Sequence, residues 1–173
     1  MNERKTYEHF LKLPCTITAF LVFVGLSFAQ PVLPPRSTTV TATQGIHFGT
    51  MALTGVSGGT VTVGYDGSRS SSGDIMLFSI PPFSKAAIFE IKLCEGRNIT
   101  ITFSATTTLT SSNGGTLTLD IGPTDKGGNS ASFATNGDCN YITILRVGGT
   151  LHIPGTAIAG AYSGSFEMTF NYQ

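Results

Sequence analysis

One serine in this sequence stands in a pattern that serine hydrolases use. Gly55-Val56-Ser57-Gly58-Gly59 matches the nucleophile elbow, in which a strand, a sharp turn and a helix present a serine to a base. Here the glycines lead into a Gly/Thr/Val segment that favours a strand, so the helix that the motif requires is missing. We therefore predict that the protein is not an enzyme.

Histidines and acidic residues give no pattern of a metal or cofactor site. His47 and His152 each stand alone in a β-rich stretch, without a second ligand at metal spacing. The turn at 125–130 has one acid and one asparagine, and it lacks the alternating acids of a calcium loop. The sequence predicts neither a metal nor another cofactor.

The N terminus has the three parts of a cleavable signal peptide. Arg4, Lys5 and Lys12 form a positive start, an apolar run follows at 14–29, and Ser27-Phe28-Ala29 places small residues at the cleavage site. The run is short for a membrane span, which needs about 20 residues. We predict cleavage after Ala29 and no membrane span afterwards, with an uncleaved N-terminal anchor as the alternative. The destination is the periplasm, the cell surface or the medium.

Export would place Cys94 and Cys139 in an oxidising compartment. The simplest prediction is one disulfide that closes a loop of about 46 residues and stabilises the fold by about 4 kcal/mol. Two buried free thiols are the alternative, because a sequence cannot show that two cysteines meet.

Charged residues make up only 12% of the chain, and the formal net charge is zero. Since binding to nucleic acid needs a basic stripe, we predict no nucleic-acid partner. The polar residues are mainly Thr, Ser, Gly and Asn, which favour strands and turns.

Short segments of strand-forming residues recur along the chain between Gly, Ser and Asn turns, and no segment beyond the leader has a helical period. This spacing predicts an all-β sandwich or barrel. We expect a signal peptide at 1–29, a proline-rich extension at 30–37 and one β domain at 38–173. The predicted strands are 38–43, 59–65, 74–80, 86–93, 98–104, 116–121, 141–147, 150–153 and 162–172.

Four segments resemble a bacterial secreted family, domain of unknown function 4402. They are Ile46-His47-Phe48-Gly49, 86–91, 147–151 and 160–172. That family is similar to spore-coat-U-like proteins and to the pilins of chaperone–usher fimbriae. The resemblance implies an immunoglobulin-like (pilin-like) antiparallel β-sandwich.

The end of the chain also resembles the C-terminal signature of pilins, which is a glycine followed by an apolar alternating strand with a penultimate tyrosine. The resemblance implies that this strand pairs with a periplasmic chaperone, that an usher exports the subunit, and that subunits polymerise by strand addition. The implied assembly residues are Gly160, Tyr162, Phe166, Met168, Phe170 and Tyr172.

Two functions remain open at this point. The first is an exported structural subunit of a fimbria-like or other cell-surface filament, assembled by β-strand addition. The N-terminal segment is a weak donor for it, because Val32 and Leu33 stand among three prolines, and Val40 and Ala42 follow among threonines. The alternative is a self-complete secreted β-sandwich that acts as a cell-surface binding or adhesion module, with 38–43 as its own first strand.

Overall fold

The structure is a computed structural model, and it describes residues 38–93, 96–138 and 140–172. The leader at 1–29 and the extension at 30–37 lie outside these residues, so both stay predictions. The described residues form strands and no helix, and all strand pairs are antiparallel. The strands are β1 (Thr39–Gln44), β2 (Met51–Leu53), β3 (Gly59–Val63), β4 (Arg69–Gly73), β5 (Ile75–Leu77), β6 (Ala87–Lys92), β7 (Asn98–Phe103), β8 (Thr106–Ser111), β9 (Thr116–Thr124), β10 (Ser132–Ala134), β11 (Thr143–Ile153), β12 (Tyr162–Ser163) and β13 (Met168–Tyr172).

The strands form two main sheets and a small ribbon. Sheet I has the order β1-β6-β11-β9-β8-β12. Strand β3 also belongs to it: β3 pairs with the second half of β11 and, on its other side, with β4. Sheet II has the order β10-β7-β13, and β2 pairs with β5 as a ribbon. The prediction of an all-β antiparallel fold is confirmed.

Strand β11 is the centre of sheet I, since it pairs with β6, β3 and β9. The sequence predicted two strands here, at 141–147 and 150–153, on either side of Gly148-Gly149. That prediction was wrong: the register shifts at this point, but the strand continues. A Cβ at Gly148 would lie 2.6 Å from the carbonyl oxygen of Val63, so glycine allows the backbones to approach closely.

The core is built from side chains that alternate inward along the strands of both sheets. Ile99 and Ile101 of β7 are fully buried, as are Val61, Leu145 and Val147 of sheet I. Removing each such side chain from water contributes roughly 1.5–3 kcal/mol. The core therefore lies between the sheets, which is the arrangement of a β-sandwich.

The hairpin β3–β4 is fixed by polar contacts at its turn and by one arginine. Asp66 accepts hydrogen bonds from the hydroxyl and the backbone N–H of Ser68, and these bonds lower the pKa of the Asp66 carboxyl. Arg69 donates to the carbonyl oxygens of Thr50 and Phe78, which ties β4 to the ribbon. Burial lowers the pKa of the Arg69 guanidinium.

Candidate strand-addition site

Strand β13 lies at the edge of sheet II. It pairs with β7 along its whole length, from Met168 opposite Phe103 to Tyr172 opposite Ile99. Among the residues that the structure describes, no strand pairs with the other edge of β13. Such an edge presents backbone N–H and C=O groups that can pair with another chain.

The inward face of β13 is apolar and only partly covered. Phe170 and Tyr172 lie directly opposite the fully buried Ile101 and Ile99, so their side chains share the core face of sheet II. Met168 and Phe170 are nevertheless only half-buried, and Tyr172 is 51% exposed. Among the described residues, therefore, no neighbour covers the core at this edge.

Aromatic contacts place β13 over β6 of sheet I. The ring of Phe89 lies 6.1 Å from that of Phe166, edge to face, and 5.8 Å from that of Phe170. Aromatic pairs in such tilted arrangements stabilise a fold by about 0.5–1.5 kcal/mol beyond their burial. The edge strand of sheet II thus packs on the second strand of sheet I.

Strand β1 forms the edge of sheet I beyond β6. Val40 lies opposite the buried Ile91, and Ala42 lies opposite Phe89, so both side chains point to the core side of the sheet. Even so, Val40 is half-buried and Ala42 is exposed. Since β13 lies over β6, the strand position over β1 and beside β13 is empty in the described part of the chain.

We call the surface around this position the open seam. It is bordered by apolar side chains from both sheets. Its residues are Val40, Ala42, Phe89, Phe166, Met168, Phe170 and Tyr172.

The structure divides the predicted strand at 162–172 into two strands in different sheets. Tyr162–Ser163 forms β12 and pairs with β8 in sheet I, whereas Met168–Tyr172 forms β13 in sheet II. The chain crosses between them close to β8: a Cβ at Gly164 would lie 2.7 Å from the carbonyl oxygen of Thr108. The prediction of one continuous strand was wrong. The alternation of side chains that suggested it continues across the point where the backbone changes sheets.

Gly160 and Tyr162 therefore lie apart from the other four predicted assembly residues. Strand β12 is at the opposite edge of sheet I from β1. The Tyr162 hydroxyl donates to the carbonyl oxygen of Ile158 at 2.6 Å, and a Cβ at Gly160 would lie 2.7 Å from Ser111 Oγ. These two residues fix the approach of the chain to β8. Phe166, Met168, Phe170 and Tyr172 are brought together at the open seam.

Phe89 was not predicted as part of an assembly site, and Val40 and Ala42 were not predicted to line the surface that accepts a strand. The alternation of Val40 and Ala42 with threonines had suggested either a donor segment or a first strand. Thr39–Gln44 forms the first strand of the domain and pairs with β6. It lines the seam, and no described strand fills the position beside β13.

The loop around Ser57 leads straight into strand β3, as the sequence predicted. The backbone N–H of Ser57 donates to Asp74 Oδ2 at 2.9 Å, which ties the loop to the segment between β4 and β5. Ser57 and His152 both line a surface cleft of about 510 Å³. The structure shows no hydrogen bond between these two residues, both of which it describes. The absence of enzyme activity stays a prediction.

The two histidines take part in local contacts. The backbone N–H of Gly49 donates to His47 Nδ1 at 2.9 Å, and His152 Nε2 lies 2.7 Å from Asp120 Oδ2 on the exposed face of sheet I. Within 38–93, 96–138 and 140–172, no three His, Cys, Asp or Glu side chains are grouped so that they could hold a metal ion. The described residues also include no helix with the length and apolarity to cross a membrane.

Three predicted residues, Ala29, Cys94 and Cys139, lie outside the described residues. Their roles in signal cleavage and in a disulfide stay predictions.

The family comparison matches residues 38–172 to the family described as Domain of unknown function (DUF4402). The chain belongs to the DUF4402 family. The match begins just before β1 and ends with β13, so this DUF4402 domain includes both strands that border the open seam. No curated protein and no solved structure matches the chain.

Proposed function

We propose that this protein is an exported structural subunit of a fimbria-like or other cell-surface filament, assembled by β-strand addition at the open seam. The observation that carries the proposal is a strand position beside β13 that no described strand fills, with core-facing side chains left half-exposed around it. An added strand would pair its main chain with the free edge of β13 and place alternate side chains on the seam.

The strand order supports this proposal. Immunoglobulin constant-type sandwiches have one sheet with the order A-B-E-D and a second with strands C, F and G. The orders β1-β6-β11-β9 and β7-β13 correspond to A-B-E-D and C-F. In this correspondence strand G has no counterpart among the described residues, and its place is the open seam. A strand from another molecule would complete the immunoglobulin-like arrangement.

Strand addition accounts for a filament and for the proposed partners. A strand that one molecule gives to the seam of the next makes a head-to-tail contact, and such contacts propagate when the rotation does not close. Before assembly, an uncovered edge of this kind invites wrong pairing. We therefore propose that a periplasmic chaperone covers the seam first, and that an usher exchanges it for the filament strand.

We also propose that Cys94 and Cys139 form a disulfide. The ladder between β6 and β11 ends at Ile91 opposite Thr143, and the ladder between β7 and β10 ends at Asn98 opposite Ala134. The segments 92–97 and 135–142, which contain the two cysteines, are therefore held against each other at both ends.

Described residues inside these two segments approach closely. A Cβ at Gly96 would lie 3.4 Å from Gly137 Cα, and the Thr135 hydroxyl donates to the carbonyl oxygen of Arg97 at 2.9 Å. Formation of the disulfide joins the two Sγ atoms, releases two protons and passes two electrons to a disulfide-exchange oxidant in the exporting compartment.

A charge placed in the open seam should prevent assembly. Ala42 is exposed on the seam face of β1, so Ala42→Glu should leave the fold intact and bury an unpaired carboxylate under any added strand. Surface material from the exporting cells should contain the wild-type chain in large complexes that survive unheated denaturing gels and collapse on boiling. We expect Ala42→Glu to reduce these complexes by about tenfold or more.

Thr39→Glu is the matched control, because Thr39 is exposed on the other face of β1, opposite Lys92. This variant should form complexes like the wild type. Equal complex formation by Ala42→Glu would contradict assembly at the seam.

A second candidate is a secreted module for binding or adhesion at the cell surface. It is favoured by exposed apolar side chains in β5 and in the segment after it, where Met76, Ile80 and Phe83 are 52%, 53% and 58% exposed. Exposed apolar patches often mark interaction sites. A chain that stays monomeric in unheated surface material while still binding cells would favour this function over the first.

A further inference from the structure

We infer that the open seam takes its strand from a different polypeptide and not from a second copy of this chain. The partner is an extended segment with bulky, uncharged apolar side chains at alternate positions. This inference rests on the proposed function and names the partner of its site.

The first step is that strand β1 is not available for donation. Thr39–Gln44 pairs with β6, and Val40 lies opposite the fully buried Ile91 and packs against the core. Withdrawing β1 to serve a neighbouring molecule would open the core of its own domain. With cleavage after Ala29, the extension at 30–37 is the part of the chain left to act as a donor.

The second step is that the extension lacks the side chains that a donor needs. Val32 and Leu33 are adjacent, so in an extended strand they point to opposite faces and only one of them can face a seam. Pro31, Pro34 and Pro35 have no backbone N–H and cannot donate to the ladder.

The third step is what the seam requires. Met168, Phe170 and Tyr172 expose three inward positions along β13, and none of the seam residues is charged. A strand that covers them needs about three bulky apolar side chains with a period of two. An extension that supplies one such side chain instead of three should bind about 100-fold more weakly or worse.

The consequence is that this chain has a restricted place in the filament. A chain that accepts a strand but donates poorly can end a filament or join a different subunit, and it does not extend a filament of its own copies. The neighbour that fills the seam is then a second protein with an alternating apolar segment.

Two synthetic peptides test this inference on residues 30–173. One has the sequence of 30–37, and the other is about nine residues long and alternates isoleucine with threonine. Binding is measured by fluorescence anisotropy, and the thermal midpoint is followed in parallel. We expect the alternating peptide to bind and to raise the thermal midpoint of unfolding. Its affinity should be about 100-fold or more above that of the 30–37 peptide, and the Ala42→Glu variant should not bind it.

Three outcomes would overturn the inference. Equal affinity of the two peptides, or a ladder formed by residues 30–173 alone, would identify a second copy as the donor and leave the proposed function standing. If deletion of 30–37 makes the alternating peptide bind much more tightly, then the extension fills the seam of its own molecule. Binding of neither peptide would overturn both the inference and the proposed function.

Discussion

Replacing Phe170 by serine should lower the free energy of unfolding by about 3 kcal/mol. Truncation of a core aromatic costs about 3–5 kcal/mol, and the low end applies here because the ring is half-buried. The ring packs against Phe89 at 5.8 Å and lies beside the buried Ile101, so its loss also weakens the contact between the two sheets. Urea unfolding followed by circular dichroism measures the change.

Asn171→Ser is the control on the opposite face of the same strand. Asn171 is exposed, so this variant should stay within about 0.5 kcal/mol of the wild type. A loss below about 1 kcal/mol for Phe170→Ser would mean that β13 does not pack on β6 as described.

Replacing Cys94 and Cys139 together by serine should lower the free energy of unfolding by about 4 kcal/mol. The disulfide would close a loop of about 46 residues and restrict the unfolded chain accordingly. Reduction of the wild type with dithiothreitol should have a similar effect, and it should leave the double variant unchanged. Urea unfolding with and without the reductant gives all four values.

A thiol-reactive dye provides an independent check on the disulfide. Residues 30–173 contain only these two cysteines. The denatured, unreduced protein should take up no dye, and the reduced protein should take up two equivalents. Labelling of two thiols without reductant would show that the cysteines do not pair.

The alternation at the end of the chain predicted the inward side chains of β13. Phe166, Met168 and Phe170 are half-buried, while Glu167 and Thr169 are exposed, because a period of two separates the faces of a strand. The break before β13 could not be predicted in the same way. It depends on the close approach of Gly164 to Thr108 of β8, which is a contact between distant parts of the chain.

Strands with few apolar residues escaped prediction for a different reason. Strand β8 has a single buried side chain, Leu109, and β4 consists mainly of serines. Both are strands because a neighbour pairs with them; in β4, Ser72 Oγ lies 2.8 Å from the Thr60 hydroxyl of β3. Strand propensity depends on such neighbours more than on the residue itself.

The open seam contains some residues that could be predicted from the sequence and others that could not. Tyr172 and Phe170 could be assigned to an assembly strand from their resemblance to pilins, and their exposure on the core face agrees with that role. Ala42 and Phe89 carry no local pattern that connects them to β13. They join it only through the stacking of two sheets, which brings together residues far apart in the chain.

Hydrogen exchange of the β13 backbone amides tests strand addition at the seam most directly. Amides on the outer edge of Met168–Tyr172 should exchange rapidly in residues 30–173 alone, because no described strand pairs with them. With the alternating peptide bound, the same amides should slow by about 100-fold or more, while the amides of β7 stay protected throughout. Full protection of β13 before the peptide is added, or no change after it binds, would contradict the account.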